Sequence, residues 1–492
     1  METMRRKCLN KLEIFLIMIS DEQKKRFKQK VRSALSLGGI LVFVGLSFTL
    51  PLFTRSFSGY LYAGLLFAST LVYAFAEKKL VRRINKYALL WLFVVCVMVI
   101  SFLNSQRSNG AFLDMLVFCC GLFLVLLYSD KEDVYKYIIM TIQAFAIFYG
   151  LGILLRNFAP PVYRAALNIF PATYRLTLLK FRGAGGFSTN VGYTAGYTIA
   201  GIFATLADSS IPRKRPIINL LKDCAILLFL MFALAMTGKR GPIIFCVVTV
   251  VYCYTAPAQY LKKLKRYWKV FLMVGAAAAI FEFYRPTFSS LPIVRRAVDT
   301  LDRYNRGEDY SSGRFRLYTW AWKLFQENTL LGIGWGAFRA TTPGNVTLAR
   351  PMEAHNIYLQ LLCENGVVGF VCFFALFLIF WNSTRLAYCR CRQHPPSKPN
   401  AWTGLVYFSF AYQTFFLMYG VTGNPLYDSF FQMMYVLSCM ILVAYRSIAD
   451  VPPPLPPGGT PLPPQPQQPQ QPQQPSGLPE GYIIPEHLLQ KK

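Results

Sequence analysis

The feature that most constrains this chain is the recurrence of apolar runs close to the length that crosses a bilayer. A membrane-spanning helix needs roughly 20 predominantly apolar residues. Twelve runs come near that length, at 34–53, 58–76, 87–103, 111–128, 134–155, 190–207, 217–236, 241–255, 267–284, 365–384, 403–420 and 426–445. Lipid offers the backbone no hydrogen-bonding partner, so each run must satisfy its own amides by coiling into a helix. The expected fold is therefore all-α: a polytopic integral membrane bundle of about 12 transmembrane helices.

Lysine and arginine accumulate in short cytoplasmic loops. With the amino terminus inside, the inside loops are 77–86 (EKKLVRRINK), 129–136, 209–216, 256–269 and 385–400, all carrying Lys or Arg. The short outside loops are 54–56, 104–110 and 421–425. The two sets alternate without a miss, which places both termini in the cytoplasm. Two long outside segments remain, 157–189 and 285–355, the second expected to be mostly helical. The domain reading is a basic cytosolic segment 1–33, a bundle 34–450 and a tail 451–492. The apolar stretch at 14–19 is short and is followed by SDEQKKRFKQK, not a small-residue cleavage site, so it reads as a cytosolic surface helix and not a signal peptide. Residues 452–475 are almost entirely Pro and Gln, with polyproline II character and no apolar face to bury. That tail is a candidate docking segment for a cytosolic partner.

Charge narrows the class further. The 52 Lys and Arg against 23 Asp and Glu give +29, but the excess is spread among the apolar runs, where it sets topology. No nucleic-acid-binding pattern accompanies it, so nucleic acid is not an expected partner. Most of the 12 cysteines lie in apolar runs, where Cys acts as a small hydrophobe. Cys389 and Cys391 with His394 form C-x-C-x-x-H without a second ligand pair, which reads as a free-thiol loop.

The chemistry points to the outside segments. Segment 285–355 carries nine arginines and a single lysine, Lys323. Arginine's planar fork binds phosphate oxygens at two points and keeps its charge, so this bias suggests a phosphorylated ligand at the outer leaflet; lipid headgroups and the acidic residues of the same loop are the competing partners. Asp114, Glu282, Glu364 and Asp428 all fall near outward ends of spans, and the span centres are almost free of charge. A proton-coupled transporter would place ionisable groups near the midplane. Of the three histidines only His355 faces outward, and an imidazole suits proton transfer near neutral pH.

Four stretches taken together resemble the O-antigen ligase and O-antigen polymerase family of bacterial membrane glycosyltransferases. They are Arg182, Gly183 and Asn190; the turn TGKRG from Thr237 to Gly241; the Arg314 helix ending in LLGIGWGAF (330–338); and HNIYLQLLCENGVVGF (355–370). The motif region covers 180–370. Lys239 departs from the pattern, which has a small residue before the arginine. The resemblance implies residence in the bacterial cytoplasmic membrane and transfer of a glycan from an undecaprenyl-diphosphate carrier to a hydroxyl on a lipid, glycan or protein acceptor. It implies Arg182, Arg240 and Arg314 as diphosphate-binding residues, with Lys239 and Arg316 in support. It implies His355 as the group that deprotonates or orients the acceptor in one inverting displacement, with Asn356 positioning it. Glu364, nine residues further on and turned away on a regular helix, is given a supporting role. No Asp-x-Asp or His-carboxylate cluster argues for a metal, and no cofactor is expected. A lipid-linked glycan flippase or exporter without chemistry is the alternative.

Overall fold

The computed structural model describes residues 21–49, 56–77, 85–105, 109–129, 131–180, 185–211, 216–257, 292–309, 311, 313–341, 352–393 and 401–449. Contacts divide the chain into Met1–Ile448 and Ala449–Lys492, and the helical bundle lies in the first unit. The expected span 267–284, the amino-terminal stretch 14–19 and the tail 451–492 lie outside the described residues.

Every expected span but 267–284 coincides with a helix. In order these are α1 (Asp21–Thr49), α2 (Ser56–Glu77), α3 (Lys86–Leu103), α4 (Asn109–Leu126) and α5 (Glu132–Phe158). After two short helices, α6 (Pro160–Ala166) and α7 (Ala172–Lys180), come α8 (Val191–Ser209), α9 (Pro216–Met236) and α10 (Arg240–Thr255). The second long segment contributes α11 (Pro292–Asn305), α12 (Arg314–Glu327) and α13 (Phe338–Thr341). The bundle closes with α14 (Ile357–Gln393), α15 (Trp402–Tyr419) and α16 (Ser429–Ala449). Six of these are long and apolar enough to cross a membrane: α1 from Arg26, α3, α5, α9, α14 and α16. The fold is an all-α polytopic membrane bundle. One difference from expectation is that the basic stretch 21–33 continues into the first span as a single helix, not a separate segment.

Aromatic rings fill the centre. Trp91 on α3 is fully buried, stacks on Phe118 of α4 at 4.8 Å and donates its indole N–H to the Phe118 carbonyl at 2.9 Å. The outward rims of α9 and α10 carry exposed Leu228, Phe232, Ile244 and Val247, the apolar surface that a bilayer covers.

Some described loop residues meet at the two ends of the bundle. At one end Glu132 accepts from the Ala401 N–H at 2.8 Å, and Gln393 donates to the Pro257 carbonyl at 3.3 Å. These contacts tie the start of α5 to the start of α15 and the end of α14 to the segment after α10. At the other end Trp335 N–H reaches the Ser101 carbonyl at 3.3 Å, and Ile357 N–H the Gly420 carbonyl at 2.9 Å. That end also holds the turn 237–239, α11 and α12, and so most of the described outside arginines.

Candidate functional site

Helix α14 is broken near its start. At Gly366 the backbone takes φ +60° and ψ −168°, a region open essentially to glycine alone. An unbroken helix would send the N–H groups of Val367 and Val368 to the carbonyls of Cys363 and Glu364. Here Ile333 and Gly334 N–H groups donate to those carbonyls at 2.9 and 2.8 Å. Val367 and Val368 donate instead to Thr329 and Leu330 at 2.9 and 3.3 Å. The Gly-rich stretch 329–338 thus replaces the two helical hydrogen bonds with four of its own. A Cβ on Gly366 would lie 2.2 Å from the Leu330 carbonyl oxygen.

Glu364 secures the same stretch. Its carboxylate is fully buried and accepts from Gly336 N–H at 2.9 Å, Phe338 N–H at 3.1 Å and the Gln360 amide at 3.2 Å. Trp335 fills the gap beside it, fully buried and stacked on Tyr427 at 4.8 Å and Phe373 at 5.5 Å. Glu364 reaches the loop because the break at Gly366 frees the helix start to pack against it.

The break leaves residues 357–365 as a short leading helix with His355 just before it. Asn356 caps that helix, its side-chain oxygen accepting from Tyr358 and Leu359 N–H at 3.0 and 3.1 Å. The capping satisfies amides that a helix start leaves unpaired. That oxygen is therefore engaged with the backbone. His355 is the described non-glycine residue with positive φ, +56°. It is held there by the Tyr318 hydroxyl of α12, which donates to the His355 carbonyl at 3.2 Å. Its imidazole is half-buried and makes no hydrogen bond among the described residues.

Three other elements bring cations together here. The turn 237–239 supplies Lys239 and the start of α12 supplies Arg314, both acting on His355, while Arg240, the first residue of α10, lies near Arg314. Arg314 donates from Nη1 to the Thr422 carbonyl at 3.0 Å. Arg240 hydrogen-bonds the Thr300 hydroxyl, and Arg296 donates to the Gly238 carbonyl at 3.2 Å, so α11 grips the turn. Burial, then Arg314 and Lys239, push the His355 pKa down to about 4. Burial, then Arg296 and Arg314, lower that of Lys239. Among the described residues none of Lys239, Arg240, Arg296 or Arg314 pairs with a carboxylate. Among the described residues the arrangement is a cluster of positive charge without carboxylate partners beside an imidazole that favours its neutral form, suited to an anion with a reacting hydroxyl next to it.

Carboxylates lie behind this cluster. Glu353 pairs with Arg339 at 3.5 Å, and Gln360 donates one amide hydrogen to Glu353 at 2.5 Å and the other to Glu364. Burial raises the pKa of Glu353.

The structure thus gathers Lys239, Arg240, Arg314 and His355. Arg316 is exposed and turned toward Asp309, away from the others. Arg182 and Gly183 lie outside the described residues; Asn190 caps α8 by accepting from Gly192 N–H at 2.8 Å. Sequence reasoning missed Arg296, Thr300 and Thr422. The Thr422 hydroxyl is buried without a partner among the described residues, beside Gly241. The only signal in sequence was their place in outside loops, which does not single them out.

Residues 225–374 match the O-antigen ligase family. That segment runs from α9 into α14 and contains Lys239, Arg240, Arg314 and His355, but not Arg182. The match supports the O-antigen ligase and polymerase family for this chain, and with it a membrane glycosyltransferase of the O-antigen ligase type in broad terms. No curated protein matches the chain.

Proposed function

We propose that this protein transfers a glycan from an undecaprenyl-diphosphate-linked donor to an acceptor hydroxyl at the outer leaflet. The observation that supports this reading is that Lys239 and Arg314 act on His355 from separate elements and Arg240 lies beside Arg314, all three without carboxylate partners among the described residues. The arginine-rich end is then the outward one, as the charge distribution of the loops suggests.

In this mechanism the donor diphosphate sits among Arg240, Arg314 and Lys239, with Arg182 assigned beside them on its sequence position. The acceptor O–H gives its proton to the His355 imidazole as the oxygen attacks the anomeric carbon. The bond from that carbon to the diphosphate breaks, and its electron pair leaves on the diphosphate oxygen, where the fixed cations stabilise it. One displacement inverts the anomeric centre. The diphosphate also does something for the base. Burial and then Arg314 and Lys239 hold His355 below the usual imidazole range, and the diphosphate offsets the two cations, so donor binding raises the basicity of the ring for the next step.

The test is a glycan-transfer assay with purified protein and a lipid-diphosphate donor. Transfer that depends on His355 is the expected result. Full activity in His355→Ala would overturn the assignment. Translocation of a lipid-linked glycan without any transfer would support a flippase or exporter.

A further inference from the structure

Helix α11 has an apolar side that is largely exposed. Winding 292–305 at about 3.6 residues per turn divides it into three sectors. Pro292, Arg296 and Thr300 share one edge, and all three meet the turn: Pro292 lies against Gly238, Arg296 donates to its carbonyl, and Thr300 bonds Arg240. The second sector holds Val294, Ala297, Val298, Leu301 and Tyr304, with exposed Asn305 at its carboxyl-terminal end. Of these, Val298 is 45% exposed, Leu301 60% and Tyr304 61%. The third sector carries Arg295, Asp299 and Asp302, all exposed.

The grip on the turn fixes where this helix lies. Residues 237–239 join the ends of α9 and α10, and Phe232 and Ile244, within about two turns of them, are exposed apolar positions on those helices. The helix is thus held at the level where apolar helix surface gives way to polar loop. A three-sector pattern matches that place: one edge on protein, one face on hydrocarbon, one face on water. A helix folded against protein would bury its apolar sector instead, and a helix standing in water would expose about 60% of a leucine for no gain.

We infer that α11 is an interfacial helix whose Val294, Ala297, Val298, Leu301 and Tyr304 face enters the lipid surface beside the 237–240 turn. Amphipathic helices of this kind lie in the plane of the membrane with the apolar face among the headgroups and upper acyl chains. Tyr304, 61% exposed, is of the amphipathic aromatic type enriched at that depth. The contact gives the Arg240 turn a fixed height relative to the bilayer. On the proposed function, that height is where the diphosphate of a lipid-anchored donor resides. The inference itself does not depend on turnover.

The experiment places a coumarin-bearing amino acid by amber suppression at Leu301, and separately at Asp302, in the full chain. Each protein is reconstituted in vesicles of phosphatidylethanolamine and phosphatidylglycerol. Lipids with brominated acyl chains are expected to quench the probe at 301 several-fold more than at 302, and aqueous iodide to show the reverse order. Iodide quenching 301 as strongly as 302 would overturn the proposal, since the face would then stand in water. Quenching of 301 by neither agent would overturn it too, because a protein surface, from a second copy or from the rest of this chain, would then cover the face. Both readouts are taken without donor, so a failure here is separable from a failure of the glycosyltransferase reading.

Discussion

Arg314 and Thr422, separated by 108 residues in sequence, meet through a hydrogen bond of 3.0 Å from the guanidinium Nη1 to the threonine carbonyl. This bond uses one side of the fork and leaves the remaining N–H groups for an anion. Lysine at 314 keeps the charge but cannot serve both at once. We expect Arg314→Lys to lower kcat/KM for transfer by roughly 10- to 100-fold, the equivalent of about 1.5–3 kcal/mol for a hydrogen bond to a charged group. Arg240→Lys belongs to the same class. Arg316→Ala, at an exposed position turned to Asp309, should stay close to wild type. Equal loss in all three would remove the case for a specific cluster.

His355 holds φ +56°, a conformation that asparagine tolerates better than most residues. His355→Asn is therefore the informative variant: the backbone is respected and the base is lost. Transfer should fall by about 10²- to 10⁴-fold, with the melting temperature nearly unchanged. Retained activity in a folded His355→Asn protein would end the general-base assignment.

The acid side of the pH profile has a defined sign. The His355 pKa sits near 4 against an ordinary 6.5, so the native state favours the neutral ring. The corresponding stability is complete above about pH 6.5 and is lost as pH falls through about 4. The acid limb of kcat/KM, which reports free enzyme, is expected near pH 4, and that of kcat at a higher pH once the diphosphate offsets the cations. Lys239→Met removes one of those cations and should move the kcat/KM limb upward. A limb unmoved by Lys239→Met would disconnect the two residues.

Gly366→Ala tests the break in α14. Its Cβ would fall 2.2 Å from the Leu330 carbonyl oxygen, at a φ of +60°. Straightening the helix instead would strand the amides of Ile333 and Gly334. Either route costs several kcal/mol, so the variant should fail to accumulate or melt far below wild type. Glu364→Gln keeps the shape but puts an amide N–H group against a backbone N–H, and about 1–3 kcal/mol of destabilisation is expected. A wild-type melting temperature for both would contradict the packing described.

Sidedness is tested by labelling. A cysteine at exposed Asp302 should react with an impermeant thiol reagent added from outside intact cells. Labelling only after the cytosol is opened would reverse the assigned topology.

Hydropathy and charge sufficed for the layout, because burial in lipid is decided residue by residue along a run of about 20. The helices at 87–103, 134–155 and 403–420 were legible in this way. Motif positions were enough to single out Arg240, Arg314 and His355. The tertiary structure decided how those groups are held. Arg296 meets Gly238 across 58 residues and Arg314 meets Thr422 across 108, and no local pattern encodes a partner so distant. Asn356 turned out to cap a helix that exists only because α14 breaks at Gly366. Glu364, turned away on a regular helix, became the buried anchor of residues 336–338 for the same reason. A hydrophobic pattern specifies which surfaces leave water. Which carbonyl accepts which amide is settled only when the segments meet, since an unpaired group inside costs as much as the pairing supplies.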